Sequence, residues 1–371
     1  MATIGVVGAG IAGLVCAQAL QQYGHQVVVY EKSRGVGGRM ATRRLASTCA
    51  DHGVRYLEPE GEALRYLLGV LHDHHVVRAW RGAIAQMLSD GSCHFLAPSR
   101  RYIAREGVNA VAKWLAVGLD IRRQHRVTAI APVAKQGWQI TFEDEQPDTW
   151  ADALVLAIPA PQAVDLLTPL TPLGLPLPVL DAVRAVEFSP CISAIATYSH
   201  EQGEFLDYSQ AWHGIQFDTH PDLAWISFET SKRPSLIPDK ATPPVFVFQS
   251  TAAFADQYQN AQDLQPAGMI LVQQAAQALY DWLDQPVDLY VHRWRYAFAQ
   301  RPYPGPYIAT QTPLPLLCSG DWCGGQQVGG AIASGLQAAT YFQQKLGDTP
   351  AALSFHELVQ ALCDRSSAES A

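Results

Sequence analysis

Near its beginning the chain reads Thr3-Ile4-Gly5-Val6-Val7-Gly8-Ala9-Gly10-Ile11-Ala12-Gly13. The apolar residues 3–7 predict a buried strand, and the spacing of apolar residues over 14–23 predicts a helix directly after the glycines. Residues 26–30 predict a second strand, and Glu31 stands at its end. Strand, glycine turn, helix, strand and acidic residue in this order form the complete fingerprint of a dinucleotide-binding domain. The sequence therefore predicts a Rossmann-like α/β fold.

Each position of this fingerprint has an expected role. Gly8 allows the tight turn, Gly10 lets the backbone approach a pyrophosphate, and Gly13 lets the helix pack closely on the strand. Ile11 and Ala12 lie in the glycine segment and are also expected to contact the cofactor, and the unpaired N–H groups and partial positive charge of the helix N-terminus suit phosphates. We expect the Glu31 carboxylate to accept hydrogen bonds from an adenosine ribose. The alternative is a glycine-rich turn without a ligand.

A second glycine-rich segment, Lys32–Met40, follows where a simple NAD domain would usually enter another helix. Such a loop can lie along the longer cofactor FAD, and we expect Lys32, Gly38 and Met40 to contact it. We expect Arg39 to pair with the cofactor phosphates. A mobile surface loop is the alternative interpretation.

The far end of the chain is predicted to complete the same site. Residues 315–318 predict a buried strand, and small residues near Gly329 open a helix that must approach something closely. Asp321 is expected to bind a ribityl hydroxyl, and the helix amides are expected to face the flavin. A side chain at Gly330 would then push the cofactor away, unless the small residues serve packing alone. The residues predicted here are Gly320, Asp321, Val328, Gly329, Gly330 and Ala331.

The motifs together resemble the FAD-dependent amine oxidases of the two-dinucleotide-binding-motif flavoprotein superfamily, and within it the renalase-like members. The segments that carry this resemblance are Gly37-Gly38-Arg39-Met40-Ala41-Thr42, Phe95-Leu96-Ala97-Pro98, His125-Arg126-Val127-Thr128, Leu156-Ala157-Ile158-Pro159-Ala160-Pro161, Trp225-Ile226-Ser227 with Lys232-Arg233, and Trp294-Arg295. The resemblance implies a Rossmann-like FAD-binding domain with an inserted substrate domain of mostly antiparallel sheet plus helices, as in amine oxidases and p-hydroxybenzoate hydroxylase.

The strand patterns divide the chain accordingly. We predict that the FAD-binding domain comprises residues 1–60, 98–165 and 297–371, and the substrate domain residues 61–97 and 166–296. The alternating strands after residue 187 fit a mostly antiparallel sheet. Arg126 and Val127 open a strand of the first domain, and their amides are expected to meet the adenine. Neither Cys318 nor Cys323 lies in an attachment motif, so FAD is expected to bind non-covalently.

The resemblance also implies a reaction. Renalase-like enzymes oxidise isomeric dihydronicotinamides, the 2- and 6-dihydro forms of NAD(P), to NAD(P)+ by hydride transfer to flavin N5, and O2 is reduced to H2O2. Because loss of hydride itself forms the pyridinium, no general base is needed. Trp294 and Tyr296 are expected to wall the substrate cavity, and Arg233 and Arg295 to suit an anionic substrate. Trp294 is alternatively a core residue, and the basic clusters are alternatively solvated surface.

Two other functions stay open on the sequence. An amine or amino-acid oxidase or dehydrogenase would need an apolar or aromatic cage and, for amino acids, an arginine for the carboxylate. A flavin-binding sensor without turnover is the alternative from another class. No second G-x-G-x-x-G occurs, so no dedicated site for ordinary NAD(P)H is visible.

Composition limits the partners. The 371 residues carry a formal charge of −8, which disfavours nucleic-acid binding. The seven cysteines are odd in number and lack a C-x-x-C, so neither a disulfide framework nor a zinc cluster is expected. Neighbouring histidines at 72, 74 and 75 point in different directions on a helix, and no metal site is predicted. No apolar run reaches the about 18 residues of a membrane span, and no signal peptide is recognisable, so a cytoplasmic protein that acts on small molecules is expected.

Overall fold

A computed structural model describes residues 1–143, 146–204, 206, 212–233, 243–325, 327–346 and 353–369. The strands are β1 (Thr3–Val7), β2 (Gln26–Glu31), β3 (Thr42–Arg44), β4 (Cys49–Asp51), β5 (Val77–Trp80), β6 (Ala83–Met87), β7 (Cys93–Phe95), β8 (Arg101–Ala104), β9 (Asp120–Arg123), β10 (Val127–Val133), β11 (Gly137–Phe142), β12 (Thr149–Ala151), β13 (Ala153–Leu156), β14 (Glu187–Thr197), β15 (Trp212–Phe217), β16 (Leu223–Phe228), β17 (Val245–Ser250), β18 (Asp288–Arg301), β19 (Ile308–Thr310) and β20 (Leu316–Cys318).

The helices are α1 (Ile11–Gln22), α2 (Glu62–Asp73), α3 (Asn109–Leu115), α4 (Ala160–Leu167), α5 (Leu177–Arg184), α6 (His200–Gly203), α7 (Glu229–Lys232), α8 (Ala252–Gln257), α9 (Gln265–Ala278), α10 (Gln327–Leu346) and α11 (Phe355–Glu369). Residues Thr168–Leu173 and Asp281–Asp284 form short 3-10 helices. Among the described helices none is long and apolar enough to span a membrane.

The first sheet has the strand order β19-β20-β13-β1-β2-β9. All of its pairs are parallel except β19 with β20. The predicted fingerprint elements are present as β1, α1 and β2, and the strand predicted at 315–318 is present as β20. Parallel strands are buried on both faces, which is why β1 and β2 are almost continuously apolar. The predicted Rossmann-like fold is confirmed.

Helix α1 lies between this sheet and α10. Its residues from Ile11 to Leu20 are buried on every side, because one side packs on the sheet and another on α10. A Cβ atom at Gly335 of α10 would lie 2.3 Å from the carbonyl oxygen of Ala12. The two helices are therefore in backbone contact, and only glycine allows this approach.

The second large sheet has the order β18-β14-β17-β16-β15-β6-β7 and is antiparallel except for the pair β15 with β6. One face is covered by α9 around a core that includes Phe246 and Phe248. The other face carries the row Trp225, Gln249, Ser193 and His292, which are direct cross-strand partners and so project to the same side. We call this side the inner face. The expected mostly antiparallel sheet with helices is confirmed.

Residues 49–56, which begin with strand β4 of the β3–β4 hairpin, cross the inner face. The carbonyl of His52 accepts hydrogen bonds from Ser193 Oγ at 2.7 Å and from Trp294 Nε1 at 3.0 Å. The carbonyl of Gly53 accepts one from Gln249 Nε2 at 2.9 Å. On its other side the segment contacts the glycine loop, since the Val54 N–H donates to the Arg39 carbonyl. This segment therefore connects the inner face to the predicted cofactor loop.

Candidate flavin and substrate site

The three fingerprint glycines differ in what surrounds them. Gly8 has φ +106°, and a Cβ there would lie 2.6 Å from the Ala157 carbonyl oxygen. A Cβ at Gly13 would lie 2.0 Å from the Gly8 carbonyl oxygen. Gly10 has an ordinary φ of −76°, and nothing lies within 4 Å of a Cβ built there. The protein itself therefore requires glycine at 8 and 13 but not at 10, and the open space beside Gly10 at the helix N-terminus fits the pyrophosphate of a dinucleotide.

Glu31 lies at the end of β2, directly beside the glycine turn. Its side chain is buried, and its two carboxylate oxygens accept hydrogen bonds from the backbone N–H groups of Ala9, at 2.9 Å, and Ser33, at 2.8 Å. A carboxylate has about four lone-pair sites, so both oxygens retain capacity for ribose hydroxyls. The geometry fits the expected ribose contact.

The segment that precedes β10 lies against Glu31. The His125 N–H donates to the Glu31 carbonyl at 2.9 Å, and the Gln124 N–H to the Ser33 carbonyl at 3.2 Å. Arg126 and Val127 are thereby brought to the adenosine end of the predicted site. The Arg126 side chain is exposed and pairs with Glu143 at 3.2 Å, so only its backbone faces this end.

The glycine loop folds back onto the fingerprint. The Gly37 N–H donates to the Ala9 carbonyl at 2.8 Å, and a Cβ at Gly38 would lie 3.7 Å from Gly10 Cα. Met40 is buried, whereas Lys32 is exposed. The structure thus brings Gly38 to Gly10, and it leaves the Lys32 side chain at the surface.

Arg39 and Asp321, predicted separately as cofactor contacts, form a bidentate ion pair. The two hydrogen bonds between guanidinium and carboxylate measure 2.6 and 2.8 Å, and Arg39 also donates to the Ala297 carbonyl at 3.2 Å. The expectation that Arg39 pairs with phosphates differs from this geometry, because Asp321 already balances its charge. The pair connects the glycine loop to the turn after β20.

The residues around the start of α10 are closely packed against neighbouring parts of the protein. A Cβ at Gly330 would lie 2.4 Å from the Gly325 carbonyl carbon, and one at Gly320 would lie 2.5 Å from the Trp322 indole nitrogen. A side chain at Gly330 would therefore strike the preceding turn, which supports the packing alternative, and the contact of Gly330 with the cofactor stays a prediction. Gly329 lies near the Glu60 carbonyl, and Val328 and Ala331 are buried in the core. Packing explains the small residues.

Two cysteines lie close to this end of the site. Cys318 and Cys323 are buried, and burial raises the pKa of the Cys318 thiol to about 12 and that of the Cys323 thiol still further. Thiols that stay protonated are poor nucleophiles. Their environment is consistent with non-covalent FAD.

Trp294 lies on the inner face within a group of rings. It stacks on His52 with ring centroids 5.3 Å apart, and His292 meets its edge at 4.2 Å. Its indole N–H is used by the His52 carbonyl. Tyr296 packs edge-on against Phe188 at 5.9 Å, and the Arg39 guanidinium lies 5.9 Å from the same Phe188 ring. Both predicted aromatic residues are therefore close to the glycine loop.

Arg295 lies on the opposite side of β18. Its guanidinium contacts the Gln259 carbonyl at 3.5 Å, and the neighbouring Arg293 donates to the carbonyls of Tyr258 and Ala261. Successive side chains of a strand alternate between faces, so a strand that presents Trp294 inward must direct Arg295 outward. The prediction that Arg295 lines the substrate cavity was wrong.

Arg233 is buried in an ion network. It pairs with Asp51 and, at 3.1 Å, with Glu229, which also holds Lys232 at 2.5 Å. Burial alone would raise the pKa of the Asp51 carboxyl, but Arg233 and Lys232 lower it overall. Two carboxylates balance two cations, so Arg233 has no charge left for a substrate. The structure contradicts both its expected role in binding an anion and the alternative of solvated surface.

His52 and Arg55 lie on the segment of residues 49–56 and were not predicted from the sequence as site residues. The His52 Nδ1 atom is buried and has no hydrogen-bond partner within the described residues. Burial, with a smaller effect of His292, lowers the pKa of His52 to about 4, and burial with Arg293 lowers that of His292. Both imidazoles are thus neutral at neutral pH. No sequence motif indicates these two residues. Their position just after a strand that follows the glycine loop could have suggested that they lie near the predicted site.

The described residues contain no group of three or more His, Cys, Asp or Glu side chains that could hold a metal ion. The glycine turn, the Glu31 carboxylate and the ring-lined inner face instead define an oxidoreductase that binds a dinucleotide cofactor. Comparison of the sequence with protein families identifies it further. The chain belongs to the flavin containing amine oxidoreductase family, whose model matches residues 80–341, and residues 6–69 match the NAD(P)-binding Rossmann-like domain. It is an FAD-dependent oxidoreductase.

Individual relatives are similar over different spans. A protein described as flavin-containing monoamine oxidase AofH of Mycobacterium tuberculosis is 41% identical over 86 residues, which are 21% of this chain and 19% of that protein. The match thus spans about a fifth of this curated relative. Putrescine oxidase bound to putrescine superposes with a TM-score of 0.66 at 15% identity, covering 92% of this chain and 99% of that one. A protein described as a protoporphyrinogen oxidase of Exiguobacterium has a TM-score of 0.71 at 12% identity over the same shares.

Proposed function

We propose that this protein oxidises isomeric dihydronicotinamides, the 2- and 6-dihydro forms of NAD(P), to NAD(P)+. In the net reaction one dihydronicotinamide, one O2 and one proton give one NAD(P)+ and one H2O2. Hydride leaves a ring carbon, the ring becomes an aromatic pyridinium, and oxygen takes up both electrons. When bound, FAD supplies the two-electron acceptor.

The observation that carries this proposal is the charge of the inner face around Trp294. The carboxylates of Asp51 and Glu229 are neutralised by Arg233 and Lys232, and Glu229 also accepts a hydrogen bond from the Asp51 N–H. Among the described residues of this face, an ammonium substrate would therefore find these two carboxylates already paired. Flat rings line the same region, and they suit a planar heterocycle.

The protein side chains have a limited task in this reaction. The hydrogen bond from Trp294 to the His52 carbonyl fixes the plane of the indole, so the ring can position a flat substrate. Because the substrate loses hydride and no proton, no side chain has to act as a base. Neutral His52 and His292 fit this requirement, since they add no charge that would repel the developing pyridinium.

An amine or amino-acid oxidase is the second candidate. Membership of the family and the similarity to AofH support it, and a half-buried arginine, Arg55, could take an amino-acid carboxylate. The neutralised carboxylates argue against a simple amine.

The test is anaerobic rapid mixing of the FAD-loaded protein with each donor, followed by the loss of visible flavin absorbance. The 2- and 6-dihydro-NAD(P) isomers are expected to bleach the flavin within about seconds and to yield NAD(P)+, while ordinary NADH, monoamines and amino acids react far more slowly. Trp294→Leu should weaken substrate binding roughly 2- to 10-fold. The control Trp150→Leu, at an exposed indole on β12, should leave the reaction unchanged.

Fast bleaching by amines or amino acids, with slow reaction of the dihydronicotinamide isomers, would replace this proposal with the second candidate. Absence of bleaching by every donor would favour a sensor without turnover.

A further inference from the structure

Arg55 is a half-buried guanidinium on the inner face. Its Nε donates to Gln249 Oε1 at 2.6 Å, and its Cζ lies 4.6 Å from the centroid of the Trp225 ring. A guanidinium has five N–H donors, and this contact uses one of them. Within the described residues the four N–H groups on the two terminal nitrogens have no protein hydrogen bond.

Three other arginines near this face have a carboxylate partner. Arg39 pairs with Asp321, Arg101 with Glu58, and Arg233 with Asp51 and Glu229. Over the described part of the chain, Arg55 forms no ion pair. Removing a charge from water without a counter-charge is costly, and burial indeed lowers the pKa of Arg55. An arginine that binds an anion has an unpaired positive charge when the anion is absent, and Arg55 has this property.

The surroundings of Arg55 add further unused donors. Trp225 and Trp80 are buried, and neither indole N–H has a partner within the described residues. Tyr56 lies between them, with ring centroids 6.0 and 5.9 Å away. Buried polar groups are normally hydrogen-bonded. Both indole N–H groups are fully buried, so the N–H groups of the half-buried Arg55 are the ones that a ligand at this corner can reach.

We propose that Arg55 binds the phosphate groups of the substrate, at a distance from the ring that rests near Trp294. This inference rests on the proposed function. A carboxylate shares the anion chemistry, but position favours phosphate. Trp225 and His292 stand at the two ends of a four-strand row, which spans on the order of 14 Å. An α-carboxylate is bonded to the reacting carbon, whereas the phosphates of a dinucleotide are joined to the nicotinamide through a ribose.

The first measurement is calorimetric titration of the FAD-loaded protein with inorganic pyrophosphate and, separately, with propionate. FAD fills its own pyrophosphate site in this form, and no turnover is required. Arg55→Met should weaken pyrophosphate binding about 10- to 100-fold, the loss expected for charged hydrogen bonds, and Arg55→Lys should restore part of it. Arg301→Met removes the same charge from an exposed pair with Glu187 and should bind as the wild type does.

The second measurement separates binding from turnover. With 2- or 6-dihydro-NAD(P), Arg55→Met should raise KM about 10- to 100-fold and leave kcat nearly unchanged. With the corresponding dihydronicotinamide ribosides, which lack phosphate, KM should not change. If Arg55→Met does not load FAD, the same comparison is made with Arg55→Lys.

The inference is overturned if the Arg55 variants bind pyrophosphate as tightly as the wild type does. It is also overturned if KM rises equally with the dinucleotides and with the ribosides, because an equal rise would indicate a structural role of Arg55. Binding of propionate in place of pyrophosphate, lost in the same variants, overturns the phosphate assignment and moves Arg55 to a carboxylate. If dihydronicotinamides are not oxidised at all, the pyrophosphate titration still decides whether Arg55 is an anion site.

Discussion

Alanine at position 10 adds one methyl group at a point where the protein leaves open space. Gly10 has an extended backbone with φ −76° and ψ 177°, which alanine adopts without strain. Alanine lowers the conformational entropy of the unfolded chain relative to glycine, which stabilises the folded variant by about 0.4–1 kcal/mol. Alanine is also a poorer helix N-cap than glycine, which destabilises the variant by a similar amount. The free energy of unfolding of the apoprotein should therefore stay within about 1 kcal/mol of the wild type.

FAD binding should respond differently, because the methyl group occupies the place of the pyrophosphate. Forcing a methyl group into filled space costs about 1–3 kcal/mol, which corresponds to roughly 5- to 150-fold weaker binding. Titration of apoprotein with FAD, followed by flavin fluorescence, measures the affinity, and urea unfolding of the same apoprotein measures its stability.

Two other glycines provide matched controls for the same chemical change. Gly13→Ala places Cβ 2.0 Å from the Gly8 carbonyl oxygen and should destabilise the apoprotein itself by at least about 1–3 kcal/mol. Gly69→Ala on α2 meets nothing within 4 Å and should stabilise the protein by up to about 1 kcal/mol without changing FAD affinity. Wild-type FAD affinity in Gly10→Ala would refute the assignment of this space to the cofactor.

Because the pKa of His52 is lowered to about 4 in the folded protein, stability should depend on pH. As pH falls from 6.5 towards 4, His52 takes up a proton in the unfolded chain but not in the folded protein, so the free energy of unfolding decreases by up to about 3 kcal/mol. In urea unfolding at several pH values, His52→Phe should show a smaller loss, and an unchanged profile would count against a buried neutral imidazole beside His292. Lys232→Met leaves Glu229 with less positive charge in a fully buried network and should destabilise the protein by about 3–5 kcal/mol; a thermal or urea midpoint equal to that of the wild type would contradict the network. Glu31→Ala should weaken FAD binding roughly 10- to 100-fold, and an unchanged FAD titration would remove Glu31 from the site.

The geometry of the glycine turn and of Glu31 could be predicted because its determinants are local. The turn at Gly8, the contact of Gly13 with the Gly8 carbonyl and the position of Glu31 depend on residues close together in sequence. Alternation along a strand is equally local, so the outward direction of Arg295 was predictable once Trp294 was placed inward.

The inner face could not be predicted in the same way, because distant segments create it. Arg233 and Asp51 are 182 positions apart, and only their contact shows that Arg233 is neutralised. Arg55 shows the opposite case, because it has no carboxylate partner among the described residues, and no motif encodes a missing partner. At Gly330 the sequence was ambiguous for another reason. A glycine at this position is equally compatible with a cofactor contact and with close packing against the preceding turn.

The backbone contact between α1 and α10 has a consequence for biosynthesis. Gly335, which packs against Ala12, is translated 323 residues after it. At about 5–20 residues per second, the apolar surface of α1 waits on the order of half a minute for its partner helix. The nascent dinucleotide-binding unit is therefore exposed to chaperones and to aggregation during this interval, and we expect ribosome-stalled chains that lack α10 to be protease-sensitive over residues 1–40.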